Sequence, residues 1–418
     1  MNKLRIGILG ASRGMDFAMR ILPGYEFAEI AAVCESYPYL LEKSRRFFRE
    51  NGLSVLCCEN FDELLDAGID AVIIANYANE HAPYAIRALE RGIHVYSEVQ
   101  PVQTLDEACR LCDAVEKSGK VYAYGENYCY FDSTFAMRRH YEAGEIGEAV
   151  CLEATFCNDC SPKWHLLTRG KRDHWRNYVP SSFYCTHSIG PILFSTGLRP
   201  VRVSGLEAPR LSHMAEKGAR CGGGAVLSME LSNGGMAHSL NTNGFRHPYI
   251  ASYRMFGDRG TIEAVPDVIT VFRHTEGFDY DVRSERACAP TFRYRPPLEL
   301  GPYSNSDATA FGYFVAKILG DPIGEEYSID VYRALDMALP GLLGYRSVLE
   351  GGKPYPIPDM RDPSVRERYR GDLYATDPRT PEPYRLPTNK SGTPEVEESV
   401  YEAVRAELAK VDLMPGMK

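Results

Sequence analysis

From Leu4 onward, short apolar runs alternate with amphipathic stretches: LRIGILG, FAEIAAVCE, DAVIIANYA, IHVYSEV and KVYAYGENY. Continuous apolar runs of this length belong to strands buried on both faces, the sequence form of a parallel sheet covered by helices. The helical stretch PYAIRALERG ends at Gly92, the residue type that closes a helix in the left-handed region. Residues 1–125 therefore predict one doubly wound α/β domain.

Beyond Glu126 the pattern changes. EAVCLEATF, GGAVLSMELSNGGMAHSLNT and YIASYRMFGDRGTIEAV predict longer strands joined by glycine turns, a large, mainly antiparallel open sheet with one face left for solvent or a neighbour. Helices return at DATAFGYFVAKILGD and DVYRALDMALPGLLGYRSVLEGG, so residues 126–375 predict a second α/β domain, for substrate binding and oligomerisation. A proline-rich stretch runs from Pro354 to Pro394. In residues 376–418, Thr393 as cap, Pro394 at the first helical position and Val396, Val400, Val404 and Leu408 at helical spacing predict a final helix packed on the body or on another subunit.

Forty-seven basic residues against 56 acidic ones give a net charge of -9, so no overall basic field exists to gather nucleic acid or an anionic membrane. The N-terminal apolar run is broken by glycine and arginine within a few residues, neither a signal segment nor a span. Twelve cysteines scattered along 418 residues suit free thiols in the cytoplasm. Cys157 and Cys160, with His165 and Cys185, make a conceivable zinc set, but no second CxxC stands at zinc-ribbon spacing, and Cys109 and Cys112 read as buried small residues of a helix. The expectation is no metal.

The turn IGILGASRG follows a strand and opens a helix. Gly10 is placed for the tight turn and Gly14 for close approach of helix, strand and phosphate, although Ser12 replaces the second glycine of a GxGxxG turn. Glu35 ends the second strand 25 positions after Gly10, where a carboxylate accepts from ribose hydroxyls and repels a 2′-phosphate. Gly10, Ser12, Arg13, Gly14 and Glu35 together predict an NAD site.

The stretch DAVIIANYANEHAPYAIRALERGIHVYSEVQP, with FGDRGTIEA and NGGMAHSL further on, resembles the Gfo/Idh/MocA family of NAD(P)-dependent oxidoreductases. The resemblance implies a Rossmann domain followed by an α/β domain whose open sheet often makes the interface of a homo-oligomer, here a dimer or tetramer. It implies cofactor contacts from Asn76, Tyr77, Asn79, His81, Glu98, Gln100 and Asn127. His81 by itself reads equally as a structural residue at a helix start.

Dehydrogenases of that family usually work with a lysine in Glu-Lys-Pro and with Asp-x-x-x-His. Here Val99 stands at the lysine and Phe183 at the aspartate, and only His187 remains. The segments SEVQP, ENYCY, HWRNY, FYCTHSIGP and GGKPYPIPDM resemble a branch of the family, the NAD-dependent α-N-acetylgalactosaminidases and related redox glycosidases. Tyr184, Thr186, His187, Gly190 and Pro191 match that branch's Tyr-Pro-Thr-His-Gly-Leu-Gly-Pro in register. The resemblance implies transient oxidation of a sugar at carbon 3, loss of the carbon 2 proton, elimination at carbon 1, water addition and re-reduction.

Tyr184 and His187 are the candidates for proton transfer, a phenol and an imidazole that burial and charge can bring towards neutrality. Trp175 and Arg176 are expected at the cofactor, and Arg176, Tyr128 and Thr186 at the sugar or glycoside. The branch has a further tyrosine where this chain has Phe156, so the proton route or the substrate differs. A sugar dehydrogenase with rearranged acid–base groups and a non-catalytic NAD- or sugar-binding sensor are the other two readings.

Overall fold

The computed structural model describes residues 2–265, 267–296 and 301–410. The five predicted apolar runs form all but one strand of a six-stranded parallel sheet of β1 (Leu4–Leu9), β2 (Ala28–Cys34), β3 (Leu56–Cys58), β4 (Ala71–Ile74), β5 (His94–Ser97) and β6 (Tyr122–Tyr124). Its order, β3-β2-β1-β4-β5-β6, reverses direction beside β1, which opens a crevice at the carboxyl ends of β1 and β4. The short edge strand β3 carries no apolar run in the sequence, and its Leu56 is exposed.

Two glycines let the first turn close. Gly10 has φ +95°, and a Cβ there would meet the Ala75 carbonyl oxygen at 2.5 Å. A Cβ on Gly14 would collide with Ile8, so the helix following the turn lies directly on β1.

The second sheet joins β7 (Ala149–Cys157), β8 (Pro200–Glu207), β9 (Ala225–Leu231), β10 (Met236–Thr242), β11 (Ile250–Gly257), β12 (Gly260–Val265), β13 (Val268–His274), β14 (Tyr280–Arg286) and β15 (Tyr355–Pro356). The order is β14-β13-β12-β11-β7-β10-β9-β8-β15, with β7 and β10 as the parallel pair in an otherwise antiparallel sheet. Burial alternates along β9 and β10, as it must when helices cover one face only. The helix Thr186–Thr196 lies against β7, β10 and β11 and is tied down where Ser188 and Ser239 share a hydrogen bond of 2.7 Å.

The C-terminal segment runs back across the parallel-sheet domain. Arg366, almost fully buried, pairs with Glu116 of the helix Leu105–Ser118, and Asp377 accepts the Asn79 amide at 2.5 Å. The last helix spans Glu398–Ala409, later than expected. Thr393 Oγ1 is taken by the Thr388 N–H and the Pro394 carbonyl by Arg220, so both residues serve the preceding loop instead of the helix start. Tyr401 and Val404 bury the helix on the segment Trp164–Thr168, and Arg405 donates to the Gly170 carbonyl at 2.8 Å.

Gly10→Ala should lower stability distinctly more than Gly24→Ala, measured by denaturant unfolding. Gly24 has φ +71° but open space around it, so its substitution isolates the left-handed backbone cost of about 1–2 kcal/mol. Equal losses would mean that the approach of Gly10 to Ala75 relaxes without penalty.

Candidate active site

A cleft of about 480 Å³ opens at the carboxyl ends of the parallel strands, within the size range of small-molecule sites. It brings together Gly10, Ser12, Arg13, Glu35, Asn76 and Tyr77 from the first domain and Trp175 and Arg176 from the second. Glu35 is held at the end of β2 by the backbone N–H groups of Ala11 and Tyr37, both at 2.8 Å. The opposite wall is the stretch Leu166–Arg176, whose Arg169 stacks on Tyr37 at 4.1 Å. A dinucleotide fits this surface by chemistry as well as by size. Gly10 leaves a cradle that a Cβ would fill, and the buried Asn76 Oδ1, His174 Nε2 and Trp175 Nε1 have no partner among the described residues.

Arg13 reaches inward from the glycine turn. Its guanidinium meets Glu98 at 3.1 Å and Asp307, on the helix Pro302–Ile318, at 2.6 Å. Burial pushes the Glu98 carboxyl up to about 7 against the pull of Arg13, and it raises Asp307 as well. Asn127 is buried close by, with an unpartnered Nδ2.

Several expected contacts are structural instead. Asn79 spends its amide on Asp377, while its buried Oδ1 has no partner among the described residues. His81 is enclosed at the start of the helix His81–Glu90, with Nδ1 2.8 Å from the Gln100 carbonyl and Nε2 3.3 Å from that of Asn76, and burial lowers its pKa. Gln100 donates to Thr186 Oγ1 at 3.2 Å, and Thr186 has no exposed surface, so the pair braces the loop and does not present a sugar contact. Gly14 supports the turn from below without lining the cleft.

His187 stands at the start of its helix with Nδ1 at 2.8 Å and 3.1 Å from the two oxygens of Glu126, a carboxylate with no exposed surface. A carboxylate accepts, so Nδ1 carries a hydrogen, and in the neutral ring the lone pair is on Nε2. Gly190 permits it, since a Cβ there would press on Glu126 Cγ at 3.1 Å. The sequence reading missed Glu126, the first residue of ENYCY; its signal is its place just beyond the carboxyl end of β6. It also missed Tyr249, whose hydroxyl donates to that of Tyr128 at 2.9 Å, and Tyr128 packs tilted against His187 at 4.5 Å between centroids. Phe156 lies 4.9 Å from His187.

Tyr184 continues the row of rings, 5.7 Å from His187 and 6.3 Å from Trp175, with the Arg176 guanidinium 5.4 Å above it. Burial raises its pKa and outweighs Arg176, so the phenol is driven away from neutrality and stays protonated. That corrects the expectation that burial would ease its titration. Val99 and Phe183 lie in one apolar cluster with Trp175 and Tyr184, so the two lost polar positions are filled by mutual packing. Cys157, Cys160, His165 and Cys185 do not converge; among the described residues no group of three or more metal-ligating side chains is present, and no helix is long and apolar enough to cross a membrane. All twelve cysteines are free.

The class these features define is a two-domain dinucleotide enzyme fold, and comparison specifies it. Residues 4–126 match the model of the Gfo/Idh/MocA oxidoreductase family, described by its NAD-binding Rossmann fold. The chain is 27% identical over 203 residues to a glycosyl hydrolase family 109 protein of Shewanella pealeana, across 46% of this chain and 44% of that relative, so less than half the relative's length is spanned. It is 26% identical to a dTDP-3,4-didehydro-2,6-dideoxy-alpha-D-glucose 3-reductase of Streptomyces violaceoruber, across 62% of this chain and 72% of the other. An inositol dehydrogenase homolog of Azotobacter vinelandii, solved with NAD+, shares the fold at a TM-score of 0.70 and 17% identity, covering 85% of this chain and 97% of its own.

In calorimetric titrations NAD should bind more tightly than NADP, because a 2′-phosphate would face Glu35. Glu35→Ala should weaken NAD by about tenfold, the loss of one charge-assisted hydrogen-bond pair, and narrow the gap. Tighter binding of NADP by the unaltered protein would remove Glu35 from the ribose.

Proposed function

We propose that this chain is an NAD-dependent redox glycoside hydrolase. The observation that carries the reading is the His187–Glu126 pair beside a protonated Tyr184, in a site where Val99 and Phe183 leave neither the lysine nor the aspartate of a dehydrogenase. NAD, when bound, would supply the acceptor for hydride from carbon 3 of the sugar and its later donor, with the carbon 3 hydroxyl proton passing to bulk water as the ketone forms and returning from water when it is re-reduced. The chain's own groups move the protons. His187 Nε2 takes the carbon 2 proton that the carbon 3 ketone has acidified, while Glu126 holds Nδ1–H and so fixes the ring. Tyr184 gives its hydroxyl proton to the departing glycosidic oxygen and, as phenolate beneath Arg176, recovers one from the water that adds at carbon 1. The proton on His187 returns to carbon 2, and hydrolysis is the net change.

Phe156 favours a second reading, a sugar dehydrogenase, since it removes the additional phenol of the glycosidase branch from its place beside His187. In either case the substrate is a carbohydrate bound at Arg176 and Tyr128. A second copy would sit on the open face of the nine-stranded sheet, giving the dimer or tetramer, and the twelve free thiols suit the cytoplasm.

Chromogenic α- and β-glycosides hydrolysed in heavy water should yield sugar carrying deuterium at carbon 2, with no net NADH. Tyr184→Phe, His187→Ala and Glu126→Gln should each lower turnover by roughly 10²-fold or more with NAD affinity little changed. Steady NADH formation from a free sugar, without hydrolysis, would establish the dehydrogenase.

Val99→Lys is expected to leave hydrolysis unchanged or lower it, and to produce no large gain in NADH formation, because Phe183 still withholds the partnering aspartate. A strong gain in an NADH absorbance assay would sink that expectation.

A further inference from the structure

We infer that His174 is a binding residue of the cofactor cleft, donating its Nε2–H to a pyrophosphate oxygen of the dinucleotide from the side opposite the glycine turn. Its tautomer is set by the chain itself. Nδ1 caps the short helical turn Trp175–Asn177 by accepting the Arg176 backbone N–H at 3.2 Å, which leaves the hydrogen on Nε2. The side chain is buried, only 4% exposed, yet it lines the cleft, and Nε2 has no partner among the described residues. A buried N–H without a partner is costly, so its place on a ligand cleft points to an acceptor that arrives with the ligand.

The surroundings decide which acceptor. Arg169, Lys171 and Arg176 all act on His174 electrostatically, and none of the three makes an ion pair with a described carboxylate. With burial they hold the imidazole neutral, down to about 3, so it serves as a fixed donor across the ordinary pH range. Trp175 Nε1, also buried and unpartnered, stands beside it with the rings stacked at 6.0 Å. Tyr77 packs its ring edge-on to His174 at 4.8 Å and holds the imidazole's orientation. Two N–H donors and three unpaired cations facing Gly10, Ser12 and Arg13 across one cleft describe a wall for a dianionic linker. Nothing in HWRNY marks His174 from sequence; only the cap and the orphaned nitrogen together do.

The inference rests on the dinucleotide reading of the cleft and not on the sugar chemistry, so the two fail separately. The test is calorimetric titration of the full chain with NAD and with ADP-ribose. His174→Asn keeps an acceptor for the Arg176 N–H and loses the far donor, whereas His174→Gln carries an amide N–H to the Nε2 position. Asn should bind both ligands about tenfold more weakly at an unchanged unfolding midpoint, and Gln should stay within about threefold of the unaltered protein. Wild-type affinity in the Asn variant would overturn the inference. So would a Gln variant as weak as Asn, or a loss seen with NAD but not with ADP-ribose, which would move the contact to the nicotinamide half.

Discussion

One guanidinium ties the two halves of the site together. Arg13 leaves the glycine turn and enters a buried space between Glu98, just past β5, and Asp307, on a helix of the second domain. A buried carboxylate is tolerable only when paired, and here two of them share one cation. Removing Arg13 would leave both unpaired, so the turn, the end of β5 and the helix Pro302–Ile318 are constrained to one another. The cleft inherits that constraint: its floor is the turn Arg13 anchors, and its far wall belongs to the domain Arg13 reaches.

The neighbouring centre follows the opposite rule. The dehydrogenases this chain resembles would place a lysine at Val99 and an aspartate at Phe183, two groups that carry charge. This chain has lost both, and Val99 and Phe183 meet in one apolar cluster with Trp175. Exchanging a buried charge pair for packed apolar side chains is often neutral or stabilising. It also dries the ground beside Tyr184, which is why that phenol keeps its proton. Glu126, just beyond the end of β6, supplies the carboxylate that His187 contacts, whereas Phe183 lies in the helical turn Ser181–Tyr184.

What the sequence disclosed follows from what repeats along it. The five apolar runs, the turn at Gly10 and the glycine at Gly92 are local patterns with single structural solutions, and each became the expected strand or turn. Strand β3, three residues at a sheet edge, has no such pattern. The start of the last helix was misplaced because Thr393 and Pro394 are good local starters whose groups are claimed by Thr388 and Arg220, contacts no local rule contains. The same limit governs the site. Residues in recognisable segments, such as Glu35, Tyr184 and His187, were legible, whereas Asp307 and Tyr249 enter only through tertiary approach. Thr186 and Gln100 show the converse, since matching a motif did not distinguish a residue that faces a ligand from one that braces it.

The row of rings from Tyr77 through His174, Trp175 and Tyr184 to His187 and Tyr128 gives the site its order. Each ring is held by its neighbours, and the polar atoms left over fall into two groups. Those at the cleft end, His174 Nε2 and Trp175 Nε1, are donors, as a phosphate requires. At the far end the protonated phenol of Tyr184 lies near the ring of His187, 5.7 Å between ring centres, with Nδ1 of that ring turned to Glu126. One continuous aromatic wall thus joins the dinucleotide cleft to the ring of His187 and its Glu126 partner.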